Sequence, residues 1–542
     1  MITALKAAVW ILVLAAAFLW PEADEGRWRS FERTFSRLAR RQFACAAGMA
    51  LAVLLIRAAL LPLWPMPKPV IYDEFGYLLQ ADTFASGRLT NPPHPLWPFF
   101  ESPYILQQPT YNAQYPPGQG LMLAVGQAVF GHSWFGVWLS AGLLMAALIW
   151  ALNGWVPAPW ALLGGFFAFP LCFWSYWMNS YWGGAVAAAG GALVLGSYPR
   201  IVRRGKLGCA WPLGAGLAIF GLTRQFEGLL FALPLAIALA RHTRALRVWA
   251  PAAAVAAGAL IFLLIYNQRV TGNALRLPYM EYDRQYAYVR HFNFLPLALD
   301  RTYRHASAFD FHHEWMFEKR QRARTWRLFP DRAKDWWEGL KAMLGAPVLA
   351  VIMVVFLPWT GRDRRMRLPM ICAGAVVFTS LVEIVYYAHY AAPAAVAFLL
   401  LLVQAFRHLR HVKARGKPVG RFLSRAIPLT AFVLWMVTAV SQIWQHETPD
   451  QVQPVNSLRG RVEAMVAGQS VRRSAIIVRY TGHQMPHEEW VYNGADIDAQ
   501  DVVWAHDMGP EENRKLVAYY KDRSIWLFDP DRDPQRVEPY QQ

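Results

Sequence analysis

Residues 42–63 read QFACAAGMALAVLLIRAALLPL, and residues 70–91 read VIYDEFGYLLQADTFASGRLTN. The first stretch is apolar over the length of a bilayer crossing, about 17–25 residues. Shortly after it the second sets two acids, Asp73 and Glu74, side by side. A crossing that delivers a carboxylate pair to the water–lipid boundary makes this a membrane chain with chemistry at its surface.

The rest of the chain repeats the pattern. It has 542 residues, 55% hydrophobic and only 17% charged, and the apolar residues come in blocks. The blocks predict about twelve spans, near 4–20, 42–63, 134–153, 157–177, 181–198, 208–222, 226–241, 249–267, 343–359, 368–387, 389–406 and 426–444. The formal net charge is +18, but position decides its meaning. Lys and Arg crowd the short connections 27–41, 200–206, 241–247, 362–367 and 407–425. Such a bias marks cytoplasmic loops, so the charge orients the chain and implies no nucleic acid. The first block reads as a span rather than a signal peptide, because cleavage would leave the arginine-rich 27–41 outside. Cys45, Cys172, Cys209 and Cys372 all lie in apolar blocks, with no disulfide or CxxC spacing. The short segment 118–130 is expected to be re-entrant or interfacial.

With the basic loops inside, everything long falls outside. Residues 1–444 form the expected all-α transmembrane domain, with extracytoplasmic loops 64–117 and 268–342. Residues 445–542 then hang as a tail, expected to be a small extracytoplasmic α/β domain. Within it AIIVRY (475–480), DVVWAHD (501–507) and SIWLFDP (524–530) read as strands, and PEENRKLVAYY (510–520) as a helix with Pro510 in its first turn. The expected location is a bacterial inner membrane, crossed many times. A carrier of this size would more often show internal repeats and compact outer loops, and no repeat is visible.

After Asp73 and Glu74, apolar residues recur at near-helical spacing through Phe75, Leu78 and Leu79, and on another face Tyr77, Ala81 and Phe84. This predicts an amphipathic helix along the membrane surface, ended by Gly87. Asp73 is well placed to cap it, with Glu74 at the positive end of the helix dipole. The loop continues with Trp97, Tyr104, Gln107, Gln108, Tyr111, Asn112, Gln114 and Tyr115. Aromatics beside amides and carboxylates suit sugars, although an interfacial aromatic belt accounts for some of the rings. YPPGQG (115–120) is a rigid turn back into the membrane.

An outer loop opening with Asp73-Glu74-Phe75-Gly76-Tyr77 and leading to Tyr115-Pro116-Pro117-Gly118 resembles bacterial polytopic glycosyltransferases of the GT-C fold. These are relatives of the protein O-mannosyltransferases and the lipid A aminoarabinose transferases. NSYWGG (179–184), LTRQFEG (222–228), YNQRVTGNALRLPY (266–279) and YYAHYAAP (386–393) extend the resemblance over residues 70–395. It implies inverting transfer of one hexose or pentose from a polyprenyl-phosphate donor to a cell-envelope glycan, lipid or protein, outside the cytoplasm. It also implies that Asp73 is the base, with Glu74 its neighbour. No other cofactor is implied with certainty; some relatives bind a divalent metal near this carboxylate, and no His/Cys cluster of ligand spacing settles that point.

A sugar leaving on phosphate needs no general acid, because the leaving group is already a stable anion. It needs a base for the acceptor proton and a cation facing the phosphate. Arg224, Arg88 and Arg276 are the outer candidates, and Arg224 is the strongest, at the point where a span emerges. Glu227, three residues on, equally suits a plain helical pair with Arg224. Arg88 also reads as a snorkelling surface residue. His389 is a candidate phosphate contact, or a packed ring at the end of a span. Tyr77, Tyr115, Tyr181, Trp182, Glu227 and Tyr390 are the candidate substrate contacts, while Gly183 and Gly184 suit close helix packing. HHE at 312–314 lacks the spacing that sets zinc ligands on one helix face. Two other functions stay open: a transporter or flippase of lipid-linked sugars, and a non-catalytic envelope assembly protein.

Overall fold

The computed structural model describes residues 2–444, 454–469, 473–481, 489–531 and 537–541. Parts of the expected tail domain, 445–453, 470–472, 482–488 and 532–536, lie outside the described residues.

Lipid offers the backbone no hydrogen bonds, so each apolar block must satisfy its own as a helix. A helix stands at every one of the twelve expected spans, among them Gln42–Ala59, Trp134–Trp155, Ala185–Arg204, Leu246–Thr271 and Val419–Trp444. Among the described residues six helices are long and apolar enough to cross a membrane, or seven if one bent pair forms a single span. This is a multi-pass membrane protein. The bend falls at the start of the span expected near 343–359. The chain turns by 113° between Leu328–Leu344 and Pro347–Val355. Gly345 takes the turn at φ +69°, a left-handed conformation open to glycine.

The bundle has a buried pillar. Ala395–Leu409 is apolar all round from Ala395 to Val403 and buried throughout except at Arg407 and His408 near its end, whereas Leu246–Thr271 buries only a few residues. A helix hydrophobic all round belongs in the core. Helices that cross nearby use small residues, because lipid supplies no hydrophobic drive to press them together. Gly126 on Pro117–Phe130 faces Gly136 on Trp134–Trp155, and a methyl group on either would enter the opposing backbone. Pro117–Phe130 has 14 residues, about 21 Å of rise, which is short of a crossing. The basic connections are tied together: Arg425 pairs with Glu25 at 2.6 Å and with Glu32 at 2.9 Å.

The helix that carries the acids, Tyr72–Ala85, does not lie on the membrane surface as its periodicity suggested. Its polar residues are buried too. Gln80 donates to the Tyr115 carbonyl at 2.7 Å and to the Tyr266 hydroxyl at 2.9 Å. Asn91 donates to Thr83 Oγ1 at 2.8 Å. Both faces of the helix therefore have protein partners. Beyond it, strands β1 (Ile105–Leu106) and β2 (Asn112–Ala113) form a small antiparallel pair. Two of the amides expected to face a sugar are used to hold this loop, while Gln114 lines a cavity that Asp73 shares. Gln107 donates to the Phe100 carbonyl and Asn112 to the Leu89 carbonyl.

Near the C-terminus β3 (Ser474–Val478), β4 (Val502–His506), β5 (Ser524–Phe528) and β6 (Val537–Pro539) form one sheet in the order β4-β3-β5-β6. β3 runs parallel to both neighbours and β6 is antiparallel. The central strand is covered on both faces, which explains its unbroken apolar run. One face packs Val462, Val466 and Trp490 around Trp504. The other meets Leu516 and Tyr520 and continues into the acid-bearing loop through Phe99, Phe100 and Tyr72. The segment does not hang as a tail. Tyr492 stacks on Phe75 at 4.2 Å, and Asp82 accepts the Ala495 N–H at 2.8 Å.

Candidate functional site

Asp73 stands in the first turn of Tyr72–Ala85, on the wall of a cavity of about 160 Å³. The Tyr115 hydroxyl donates to its Oδ1 at 2.8 Å. Tyr115 is itself fixed by stacking on Tyr77, with ring centroids 4.4 Å apart. The Tyr-Pro-Pro-Gly turn explains how the second wall arrives. Pro117 opens a helix, and Gly118 lets that helix press against Leu222 and Thr223; an added Cβ would sit 2.5 Å from Thr223 Cγ2. The next residue is Arg224.

Arg224 occupies the break between the helices Ala210–Thr223 and Gln225–His242. Its guanidinium lies 4.1 Å over the Tyr390 ring and 3.6 Å from Glu227. A stacked and paired arginine is a rigid cation rather than a wandering one. Burial pushes the Asp73 carboxyl up to about 6, while the Tyr115 hydrogen bond and the Arg224 charge work against that rise. A carboxylate with that affinity is ionised at neutral pH and still basic enough to take a proton.

Glu74 has a different task. Its Oε2 accepts the backbone N–H groups of Val70 at 2.6 Å and Ile71 at 3.2 Å, and its Oε1 accepts that of Tyr181 at 2.9 Å. Burial raises this carboxyl to about 7 against those three N–H groups. The assignment of the cap to Asp73 is therefore corrected. The helix begins at Tyr72, so Glu74 is its third residue and reaches back to the free N–H groups. Asp73, relieved of capping, keeps its side chain in the cavity.

Of the sequence candidates, Asp73, Tyr77, Tyr115, Arg224, Glu227 and Tyr390 share the cavity wall. Others lie elsewhere. Arg88 bonds Ser86 beyond the far end of the Tyr72–Ala85 helix. Arg276 pairs with Glu281 at 2.9 Å. Tyr181 is buried behind the site, its hydroxyl donating to the Pro67 carbonyl at 2.8 Å. Trp182 packs on His389 at 4.6 Å, and His389 is a buried ring that meets the Tyr176 hydroxyl at 3.1 Å. Gly184 lets its segment approach Ala392 and Trp177, since a Cβ there would lie 2.7 Å from Ala392 Cβ.

The sequence pointed to neither Asp283, His291 nor Tyr282, which also line the cavity, and Tyr387 stood only within the quoted YYAHYAAP. Tyr279 stood in a quoted stretch and Tyr104 among the loop aromatics, yet neither was read as a wall residue. Tyr104 has φ +66°, a strained setting for a bulky residue, and its ring meets the edge of Tyr115 at 5.9 Å. His312 is buried and pairs with the Tyr282 hydroxyl at 3.0 Å. Among the described residues no group of three or more His, Cys, Asp or Glu is placed to hold a metal ion.

A larger cleft of about 880 Å³ lies between Glu25–Ala39 and Val419–Trp444. Its walls are apolar, including Trp28, Phe31, Phe432 and Trp435, and its charged residues pair among themselves. The smaller cavity holds the acid, the cation and the rings, and is the candidate site.

No protein-family model matches this sequence, and no curated protein matches it. Among solved structures the chain is similar to ArnT from Cupriavidus metallidurans in the apo state. The TM-score is 0.51 at 16% identity, over 90% of this chain and 94% of that one. It is also similar to the same protein bound to undecaprenyl phosphate, with a TM-score of 0.50 at 15% identity, over 90% and 89%. The likeness is one of fold, and it extends over nearly the whole of both chains.

Proposed function

We propose that this chain, which has the fold of ArnT, transfers a sugar from a polyprenyl-phosphate carrier to a cell-envelope acceptor outside the cytoplasm, with Asp73 as general base. The observation that carries this reading is the pairing of a poised carboxylate with a rigid cation in one cavity: Asp73 and Arg224 both line it, and the charge of one acts on the other. The structure of ArnT with undecaprenyl phosphate supports a lipid-phosphate donor.

In this mechanism Oδ1 of Asp73 stays with Tyr115 and Oδ2 takes the proton of the incoming hydroxyl or amine. The new bond forms at the anomeric carbon as the bond to the phosphate oxygen breaks. The electron pair leaves on the phosphate, whose charge faces Arg224. A single displacement with base and leaving group on opposite sides inverts the sugar. The long loops and the C-terminal sheet would lie in the periplasm of a bacterial cell, above the inner membrane.

The test is Asp73→Asn in a reconstituted assay. Because Glu74 holds the cap, the fold survives. Transfer falls by about 10²–10⁴-fold, while binding of the lipid donor persists. Transfer at the normal rate would remove Asp73 from the mechanism. Lipid movement without a new glycosidic bond would favour a transporter.

A further inference from the structure

His291 lines the same cavity, and its side chain is 44% exposed there. The chain brings a buried carboxylate behind it. Phe292 bridges to Glu383 in antiparallel pairing, and the Ile384 N–H donates to the His291 carbonyl at 3.2 Å. His291 Nε2 then lies 4.0 Å from Glu383 Oε1. Arg332 pins the backbone at this point, donating to the carbonyls of Glu383 at 2.6 Å and Ile384 at 2.9 Å. The Glu383 side chain is fully buried, yet neither carboxylate oxygen has a hydrogen-bond partner among the described residues. An uncompensated buried carboxylate is costly and asks for a use.

We infer that His291, oriented by Glu383, is a second cationic contact for the phosphate in this cavity, beside Arg224. This rests on the transferase reading and supplies a group that reading lacks. A sugar phosphodiester carries one negative charge, and the phosphate monoester it leaves carries nearly two at neutral pH. The second charge appears as the carbon–oxygen bond breaks. Arg224 answers the first. His291 answers the second by taking a proton from solvent, with Nε2–H turned to Glu383 and Nδ1–H to the phosphate. Glu383 is a positioning residue in this arrangement.

The groups facing His291 fit that role. Burial first, and then the repulsion of Arg224, hold the imidazole down to about 4. Asp283 accepts the backbone N–H of His291, and Tyr279 and Phe292 bring rings to its edges. Glu227 lies across the Arg224 ion pair and also acts on Glu383. An anion at Arg224 cancels the repulsion, so protonation and phosphate binding favour one another.

Titration calorimetry of the full chain with undecaprenyl phosphate, at pH 7.5 in two buffers of different ionisation heat, tests this. The wild type is expected to take up about one proton per lipid bound. His291→Gln takes up none and binds about tenfold to a hundredfold more weakly, the worth of one charge-assisted hydrogen bond. Glu383→Gln, an isosteric change, loses the uptake with His291 still present, and Glu383→Asp restores part of it. Proton uptake and affinity unchanged in His291→Gln and Glu383→Gln would overturn the inference and leave the transferase reading standing. Absence of lipid binding by the wild type would overturn both.

Discussion

The Tyr115 hydroxyl donates to Oδ1 of Asp73 at 2.8 Å, so the turn that re-enters the bundle holds the acid that opens the loop. The bond favours the charged carboxylate, against burial, which sets Asp73 at about 6. Only the ionised form accepts a proton, so transfer should rise with pH through about 6. Tyr115→Phe removes the stabilising donor. The carboxyl then moves further up, and the acidic limb of the pH–rate profile shifts to higher pH by about 1–2 units. A limb that stays in place would mean that Asp73 is not the titrating base.

Arg224→Lys keeps the charge but loses both the stack on Tyr390 and the planar fork. We expect apparent affinity for the lipid-phosphate donor to fall about tenfold to a hundredfold. Donor titration in the transfer assay measures it, and an unchanged affinity would place the phosphate away from Arg224.

Gly76 faces Tyr115: a Cβ there would lie 2.7 Å from the ring carbon Cε2. Alanine favours a helix by about 1 kcal/mol over glycine, so Gly76→Ala should leave the melting temperature within a few degrees. The methyl would still push the ring off Asp73. Transfer should drop at least about tenfold, and a fully active, stable variant would show that the Tyr115 contact is dispensable.

The C-terminal sheet docks on the loops through stacked imidazoles, His305 on His506 at 3.9 Å. Burial first, and for His305 the neighbouring imidazole, hold them down to about 3 and about 4. Released from the interface they would titrate near 6.5. Below that pH the undocked state binds more protons than the docked one, so docking weakens as pH falls from about 6.5 towards 4. Hydrogen-exchange protection in Val502–His506, corrected for the intrinsic exchange rate at each pH, should be lower at pH 5 than at pH 7.5. A double His305→Gln, His506→Gln variant should lose most of that difference.

Several features were plain in the residues. A helix forms at each expected apolar block, six or seven of them long enough among the described residues to cross a membrane, because an apolar segment in lipid has no other way to satisfy its backbone. Arg224 stood out because it interrupts such a block beside Glu227. Three of the four strands described near the C-terminus were visible as short apolar runs between turn residues, and Val537–Pro539 was not. Other features depended on distant contacts. The periodicity of 70–91 showed one apolar face and said nothing of what would cover the polar one, since Tyr492 and Ala495 come from the opposite end of the chain. The exchange of roles between Asp73 and Glu74 turned on a helix start displaced by one residue, finer than any pattern can place.

Residue order alone therefore specified the membrane-spanning helices, the basic connections and the acids at the head of the first long loop, because these follow from local hydrophobicity and backbone hydrogen bonding. Folding in three dimensions chose which acid faces the cavity, and brought Arg224, His291 and Tyr390 to it from remote segments. Those choices depend on burial and on charges meeting across the cavity, and neither quantity exists until the segments have packed.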